Sequence, residues 1–252
     1  MANKQIISIN KIKQFLISIP LISIFLAKLY VFFNKEFKKQ NYFYSTFINP
    51  GDLIFDIGAC YGKKLASFLG IKANIVAVEP QKKCINFLKK AFGNKKVIFV
   101  NKAVGEREGL ADFYQGDDHS YSTMSKDWME YTDHSWNNPY KVKVVTLDKL
   151  IKKYGIPKYI KIDIEGFELQ ALKGLTHPVN IISIEFIREN MLKTIKCVNY
   201  LNKIGSYLYN LSTGEDYKFK FKTWKKHSEI INFFKSSRVP KWGDVYIKKE
   251  SR

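Results

Sequence analysis

The chain has few cysteines, and their arrangement excludes two common kinds of site. It contains three, Cys60, Cys84 and Cys197, and no two of them have the C-x-x-C spacing of a zinc or redox motif. An odd number of scattered thiols also argues against a disulfide scaffold. We therefore expect a protein of a reducing compartment, which predicts a cytoplasmic location.

Motifs that bind phosphate groups are also missing. The chain has no G-x-x-x-x-G-K-[ST] loop, which excludes a P-loop nucleotide site. It has no G-x-G-x-x-G turn either, and a dinucleotide pyrophosphate needs those closely spaced glycines at a helix amino terminus. The glycine turn that is present has the spacing G-x-x-x-G, with Gly58 and Gly62 at its ends. A ligand with a ribose but no phosphate fits this turn better, and S-adenosylmethionine is the common one.

Acidic residues are scarce relative to basic ones. The 252 residues include 23 Asp and Glu against 42 Lys and Arg, which gives a net charge of +19. Such a charge can indicate an anionic partner, such as nucleic acid, an acidic membrane surface or an acidic glycan. The lysines are spread singly and in pairs along the chain, however, so we favour a generally lysine-rich composition over a nucleic-acid-binding patch.

The glycine turn lies between two chemically informative strands. Residues 53–57 form a short apolar run that predicts a buried parallel strand, and this run contains Asp56, which can hold the cofactor's ammonium group. The second apolar run ends at Glu79, 17 residues beyond Gly62. An acid at about this distance from a glycine turn is placed to accept hydrogen bonds from ribose hydroxyls. We expect the two glycines to be needed for the cofactor rather than only for folding, since a side chain at Gly58 would occupy the cofactor's space, and we expect Gly58→Val to stay folded while losing cofactor binding.

A second group of acids follows a later strand. Residues 159–164 alternate, and the segment places Asp163 and Glu165 at the carboxyl end, where open α/β sheets bind ligands. Glu185 ends the next strand, and we predict that it lies beside them. Three carboxylates can hold a sulfonium cation, bind hydroxyls, act as a base or ligate a metal. Glu168 comes in the first turn of the following helix, where we interpret it as a capping residue.

The amino-terminal segment differs from the rest of the chain. We divide the sequence into a helical extension, residues 1–48, and a domain, residues 49–252. Residues 15–33 are almost entirely apolar between basic flanks, but they include Lys28, whose charge is costly inside a bilayer. Three alternatives stay open: helices packed on the domain or on a partner, an interfacial membrane helix, and a membrane span.

From Gly51 onward the apolar pattern alternates between strands and helices. This rhythm predicts an α/β fold with a doubly wound, mostly parallel sheet. A long insert at 105–157 carries two further strand patterns, 110–114 and 141–146, and the tail carries alternation at 207–211 and 217–221. The main predicted strands are 53–57, 74–79, 97–102, 159–164, 180–186 and 244–248, and the main predicted helices are 62–70, 81–92, 166–174, 191–204 and 228–237.

Six motifs together resemble the FkbM-type methyltransferases. They are F-D-I-G-A-C-Y-G, V-A-V-E-P, N-K-A-V-G, S-T-M-S, V-T-L-D-K-L and I-K-I-D-I-E-G-F-E, which occur in that order within residues 49–187. The resemblance implies a Rossmann-like class I methyltransferase fold and transfer of a methyl group from S-adenosylmethionine, usually to a hydroxyl of a sugar, a polyketide or a related metabolite. It also implies a cofactor site that includes Asp56, Gly58, Ala59, Gly62, Glu79, Pro80, Asn101, Ala103 and Asp163.

A hydroxyl is a poor nucleophile unless a base removes its proton as it attacks. We predict that Asp163 lies nearest the transferred methyl and that Glu165 or Glu185 orients or deprotonates the hydroxyl. His119, in the polar loop 115–140, is a rival base with a suitable ordinary pKa. The sequence offers no histidine at metal-ligand spacing, so we assign no metal.

Two other functions are open from the sequence. Residues 137–140, N-N-P-Y, resemble the motif with which amino-methylating enzymes grip a flipped base, although they precede a strand instead of following the fourth one. A non-enzymatic protein at a membrane surface with a methyltransferase-like fold is the other alternative.

Overall fold

The computed structural model describes residues 35–93, 96–116, 122–130 and 134–250. Residues 15–33 and His119 lie outside these ranges, so the predictions made for them remain predictions. Among the described residues, no helix combines the length and the apolar character needed to cross a bilayer.

A seven-stranded sheet forms the centre of the protein. Its order is β3-β2-β1-β7-β8-β10-β9, and all pairings are parallel except those of β10, which runs antiparallel to β8 and β9. The predicted doubly wound, mostly parallel sheet is therefore confirmed. The strands are β1 (Leu53–Ile57), β2 (Asn74–Val78), β3 (Val97–Val100), β7 (Tyr159–Ile162), β8 (Ile181–Ile187), β9 (Tyr207–Thr213) and β10 (Trp242–Lys249).

The predicted insert forms a small second sheet. Its strands are β4 (Ala103–Val104), β5 (Gly109–Phe113) and β6 (Tyr140–Val145), in the order β4-β6-β5. Strands β5 and β6 confirm the two strand patterns of the insert. Because β4 follows directly from β3, the small sheet lies beside the carboxyl edge of the large one.

Helices cover both faces of the large sheet. The helices are α1 (Lys35–Ser45), α2 (Leu65–Gly70), α3 (Lys82–Phe92), α4 (Lys126–Met129), α5 (Leu147–Tyr154), α6 (Glu168–Lys173), α7 (Met191–Ile204) and α8 (His227–Phe234). Helices α5 to α8 share one apolar core with alternate residues of the strands, and α1 to α3 share the other. The sheet is thus buried on both sides, as its apolar strands require.

Helix α1 belongs to the second of these cores. Its Phe43 ring lies 5.3 Å from that of Tyr246 on β10, and its Tyr44 ring lies 4.9 Å from that of Phe68 on α2. The amide of Gln40 donates to the hydroxyl of Tyr217 over 2.6 Å. Residues 40–44 of the predicted extension therefore pack on the sheet, while the division at residue 48 stays a prediction.

The alternation at 217–221 does not form a strand, which corrects the sequence-based expectation. The segment runs beside β9 with bends, and the side chain of Asn210 satisfies both Phe221 backbone groups. Its apolar residues instead cover the core: the Phe219 ring lies 4.9 Å from that of Phe43. The alternation of apolar and polar residues in this segment reflects the contact of its apolar side chains with the core. The segment does not form a regular β-ladder with β9.

Candidate active site

A cleft opens at the carboxyl ends of β1, β2 and β7. This is the edge at which open α/β sheets bind ligands. The cleft brings together six of the residues predicted from the sequence. These are Gly58, Glu79, Pro80, Ala103, Asp163 and Glu165. Of the other predicted residues that the structure describes, Asp56, Ala59, Gly62, Asn101 and Glu185 do not line it.

Glu79 is held rigidly at the wall of this cleft. Its side chain is only 3% exposed, and its two carboxylate oxygens accept hydrogen bonds from the backbone amides of Cys60, at 3.0 Å, and Gln81, at 2.8 Å. Burial raises the pKa of this carboxyl to about 7, although the two amides lower it. The Gln81 side chain also hydrogen-bonds to this carboxylate, and because a carboxylate accepts about four hydrogen bonds, one position is left for a ribose hydroxyl.

Asn101 supports this wall from behind. Its side-chain amide donates to the carbonyl oxygens of Glu79, at 2.9 Å, and Pro80, at 2.8 Å. It therefore fixes the loop after β2 without lining the cleft, and its predicted cofactor role is one of positioning.

The two glycines of the turn are required by the fold itself, which corrects the expectation that Gly58→Val stays folded. Both have left-handed backbones, with φ of +82° and +81°. A Cβ on Gly58 would overlap the backbone carbonyl oxygen of Asp163, and one on Gly62 would lie 2.8 Å from the Leu88 side chain. A side chain at Gly58 would therefore push β1 and β7 apart before it reached any ligand.

Asp56 lies on β1, one residue before Ile57 at the cleft, and does not itself line the cleft. It is 1% exposed, and its two carboxylate oxygens have no hydrogen-bond partner among the described residues. Burial raises its pKa to about 6, although the neighbouring Lys161 lowers it. A buried acceptor without a partner is costly, so an ammonium group or a water molecule at this point would stabilise it. The predicted contact to the cofactor's ammonium group, directly or through water, stays a prediction, since Asp56 does not line the cleft.

The three predicted catalytic acids meet at one point. Carboxylate oxygens of Asp163, Glu165 and Glu185 all lie within 4.8 Å of one another. Asp163 is ion-paired at 2.7 Å with the ammonium group of Lys161, which is 3% exposed. Burial would raise the pKa of Asp163, but Lys161 reverses this and lowers it. The same geometry is close enough to hold one divalent cation, which is one of the uses that the sequence analysis left open for these carboxylates.

The pKa values of the two glutamates are shifted in the opposite direction, upward. Burial, and then the charge of Asp163, raise the pKa of Glu165 well above its usual value. The same two causes raise the pKa of Glu185 to about 10. The cluster thus combines an aspartate whose pKa is lowered with two glutamates whose pKa values are raised, and carboxyl groups shifted in opposite directions are suited to acid–base chemistry.

Glu165 also has a strained backbone, with φ of +53°. The hydroxyl of Thr123 donates to its carbonyl oxygen over 2.6 Å, and Gly166 completes the turn with φ of +85°. Strain of this kind persists only where the surroundings enforce it, and it occurs preferentially at functional sites. Glu168 accepts hydrogen bonds from the amides of Ile164 and Gly166, which confirms its interpretation as a capping residue.

The sequence analysis missed three contributors to this site. Lys161 shares a strand face with Asp163, so the alternation of residues 159–164 could have revealed it. Thr123 and Trp128 come from the insert, and their contacts with the turn at 165–166 have no local sequence signal.

A sequence model of the Methyltransferase FkbM domain matches residues 56–239 of the chain. This chain belongs to the FkbM methyltransferase family. The match includes every described residue of the cleft and of the acid cluster. The methyltransferase is therefore an enzyme that depends on S-adenosylmethionine, and the cleft, with the rigidly held carboxylate of Glu79 at its wall, fits that cofactor.

Solved structures with a similar backbone are also methyltransferases. They include a TehB-like SAM-dependent methyltransferase from Corynebacterium glutamicum, with 11% identity, coverage of 84% of this chain and 88% of that one, and a TM-score of 0.45. The plantazolicin methyltransferase BamL, crystallised with a substrate analog and SAH, has 10% identity, 94% coverage of both chains and a TM-score of 0.45. No curated protein has a significant sequence match to the methyltransferase. Sequence identities and TM-scores at this level give no information about the substrate.

Proposed function

We propose that the methyltransferase transfers a methyl group to a hydroxyl oxygen of a sugar, a glycan or a related hydroxylated metabolite. The observation that carries this proposal is the acid cluster at the edge of the cofactor cleft, where Asp163 and Glu165 line the cleft and Glu185 lies within 4.8 Å of both. A hydroxyl needs a base at the moment of attack, and carboxylates of unequal pKa meet that need.

When bound, S-adenosylmethionine supplies a methyl group on a positively charged sulfur. The ionised Asp163, fixed by Lys161, provides a negative charge close to that position. The carboxylate form of Glu165 would accept the proton of the acceptor hydroxyl, and the bound cofactor would supply the methyl group while its sulfur keeps the electron pair of the broken bond. The raised pKa of Glu165 makes its carboxylate the stronger base of the two. Glu185, in its protonated form, orients the hydroxyl.

The proposal is tested with tritium-labelled methyl transfer to glycan and lipid fractions, followed by mass spectrometry that assigns the methylated atom. We expect an O-methyl product from the wild-type protein and a turnover about 10²–10⁴-fold lower for Glu165→Gln, with the affinity for S-adenosylhomocysteine little changed. Methylation at nitrogen or carbon would contradict the proposal. Loss of activity on chelation, restored by added Mg²⁺, would assign the acid cluster to a metal instead.

The net charge of +19 keeps nucleic acid as the second candidate acceptor. The N-N-P-Y segment, however, leads into β6, where the ring of Tyr140 packs 5.6 Å from that of Phe113. The cleft itself is bordered by carboxylates, which repel a phosphate backbone. RNA or DNA binding that weakens steeply with salt, together with base methylation, would favour this alternative.

We also propose a cytoplasmic location, since all three cysteines are free thiols. Contact of residues 15–33 with a membrane surface is a further proposal. Flotation of the full-length protein with anionic vesicles tests that contact, and a protein that stays at the bottom of the gradient would contradict it.

A further inference from the structure

The loop that leads into β10 carries a local excess of positive charge. Residues 235–242 contain three basic residues and no acid. The loop ends at Trp242, which lies opposite Ile187 at the carboxyl end of β8. The backbone amide of Arg188 then donates to the carbonyl oxygen of Lys241 over 2.9 Å, which joins the two segments. We call the basic residues of these segments the basic rim; they are Arg188, Lys235, Arg238 and Lys241.

The positive charges of the basic rim are left largely uncompensated. All four side chains are exposed, and none of them forms an ion pair with an acid of the described residues. Glu189, beside Arg188, is also exposed and offsets one of the four charges. Exposed basic residues that lack acidic partners and lie on one surface indicate an anionic partner.

Exposed apolar side chains accompany the basic rim. The indole of Trp242 is 42% exposed, and Leu192, in the first turn of α7, is 75% exposed. One side of the Trp242 ring is covered by Gly214, where an added Cβ would lie 3.5 Å from it. Tryptophan and leucine beside lysine and arginine are typical of surfaces that lie in the headgroup region of a bilayer. A nucleic acid would use the charges but would give no reason for an exposed leucine.

The apolar amino-terminal segment joins the described structure on the same side of the sheet. Residues 15–33 end three residues before Glu36, the second residue of α1. The carboxylate of Glu36 is paired with the ammonium group of Lys63, at 3.4 Å, and accepts a hydrogen bond from the hydroxyl of Tyr217, at 3.4 Å. Lys63 follows β1 and Tyr217 follows β9, so both lie beyond the carboxyl ends of parallel strands. Contact of residues 15–33 with a membrane would therefore bring this edge of the sheet close to the bilayer.

We propose that the carboxyl edge of the sheet is a membrane-docking surface. The basic rim contacts anionic lipid headgroups, and Trp242 and Leu192 enter the interfacial region of the bilayer. The acid cluster lies at the same edge, since Asp244 of β10 is opposite Glu185 and two residues from Trp242. The acceptor hydroxyl would then be carried by a membrane lipid. This last step rests on the proposed hydroxyl methylation, whereas the docking surface does not.

Sedimentation of the full-length protein with lipid vesicles tests the basic rim. The vesicles contain phosphatidylcholine with or without the anionic phosphatidylglycerol. The test variant is Arg238→Glu/Lys241→Glu, and its matched control is Lys203→Glu/Lys249→Glu. The control makes the same change of charge at two exposed residues of the opposite edge, where Lys249 pairs with the first residue of β9.

We expect wild-type binding to require phosphatidylglycerol. The rim variant should bind these vesicles about tenfold more weakly or worse, because each basic residue near an anionic surface adds to the attraction. The control variant should bind like the wild type. Circular dichroism of both variants checks that the fold is intact.

Tryptophan fluorescence tests the orientation of the bound protein. The chain has four tryptophans, and lipids with a spin label near the headgroup quench those that enter the interface. We expect this quenching to fall in Trp242→Phe. It should be unchanged in Trp224→Phe, because the Trp224 ring packs 5.0 Å from that of Phe219.

Three results would overturn the inference. They are equal vesicle binding by the two charge variants, quenching that Trp242→Phe leaves unchanged, and binding of RNA instead of vesicles through the same basic rim. The second of these would assign the membrane contact to residues 15–33 alone. Failure of the proposed function would show differently, as vesicle binding without transfer of labelled methyl to oxygen.

Discussion

Lys161 is a buried cation on an otherwise apolar strand, and its position explains the charge distribution of the site. It lies opposite Asp56 on β1 and Ser183 on β8, and its ammonium group is paired with Asp163. Because burial alone would raise the pKa of Asp163, this ion pair is the main reason that the pKa is lowered.

Lys161→Met should therefore change the pH dependence of catalysis. Removal of the cation raises the pKa of Asp163, so the acidic limb of the kcat/KM profile should move up by about 1–3 pH units. The matched control is Lys158→Met, which removes a lysine just before the same strand, outside the acid cluster. A pH profile identical to that of the wild type would show that Lys161 serves the fold only.

Glu79 provides the second residue-scale prediction. Glu79→Ala removes the acceptor for the predicted ribose hydroxyls, and we expect binding of S-adenosylhomocysteine to weaken by about 1.5–3 kcal/mol in isothermal titration calorimetry. Glu108→Ala, an exposed acid at the start of β5, serves as the control. An unchanged dissociation constant, in a variant whose circular dichroism shows an intact fold, would mean that Glu79 does not bind the cofactor.

At the scale of elements, the close approach of β1 and β7 determines the shape of the cleft. Gly58 allows this approach, since its missing side chain leaves room for the carbonyl of Asp163. The local motifs around this point could be read from the sequence, because each strand, turn and acid is contiguous in the chain. That reading did not reveal which atom needs the space at Gly58, because Asp163 is distant in sequence.

Gly58→Ala should destabilise the fold by more than about 2 kcal/mol, as an overpacked position on a left-handed backbone. Gly51→Ala is the matched control, because Gly51 also has a positive φ, of +89°, but has open space around its Cα. Gly51→Ala should lower the free energy of unfolding only by the cost of a left-handed backbone at an alanine, about 1 kcal/mol. Urea unfolding measures both, and equal losses would contradict the proposed contact.

The remaining parts of the site come from pairings between distant segments. Asp244 of β10 lies directly opposite Glu185 of β8, and Trp128 of the insert covers Gly166. No local pattern predicts such contacts, because they depend on the order of strands in the sheet. The same reason explains why the strand expected at residues 217–221 does not form. Their alternation indicated a strand, but Asn210 holds them beside β9 without a regular ladder.

For the whole molecule, the buried acids predict an unusual dependence of stability on pH. Burial raises the pKa of Asp56 to about 6 and those of Glu79 and Glu168 to about 7. A carboxyl with a raised folded-state pKa stabilises the fold in its protonated form. That contribution is complete below the unfolded-state pKa and is lost as the pH rises through the folded-state value.

We therefore expect the Tm of the ligand-free protein to fall between about pH 5 and pH 8. Differential scanning calorimetry across this range measures the fall, and Glu79→Gln should reduce it because its amide does not titrate. A Tm that rises over the same range would contradict the raised pKa values.

Strand β10 has a consequence for the order in which the protein is made. It occupies an interior position in the sheet, between β8 and β9, although both of those strands precede it in the chain. During translation β8 and β9 are therefore made before the strand that lies between them. The edge of each that pairs with β10 stays unpaired until residues 242–249 leave the ribosome. Unpaired edges of apolar strands are prone to aggregation, so we expect the growing chain to aggregate most readily before that late step.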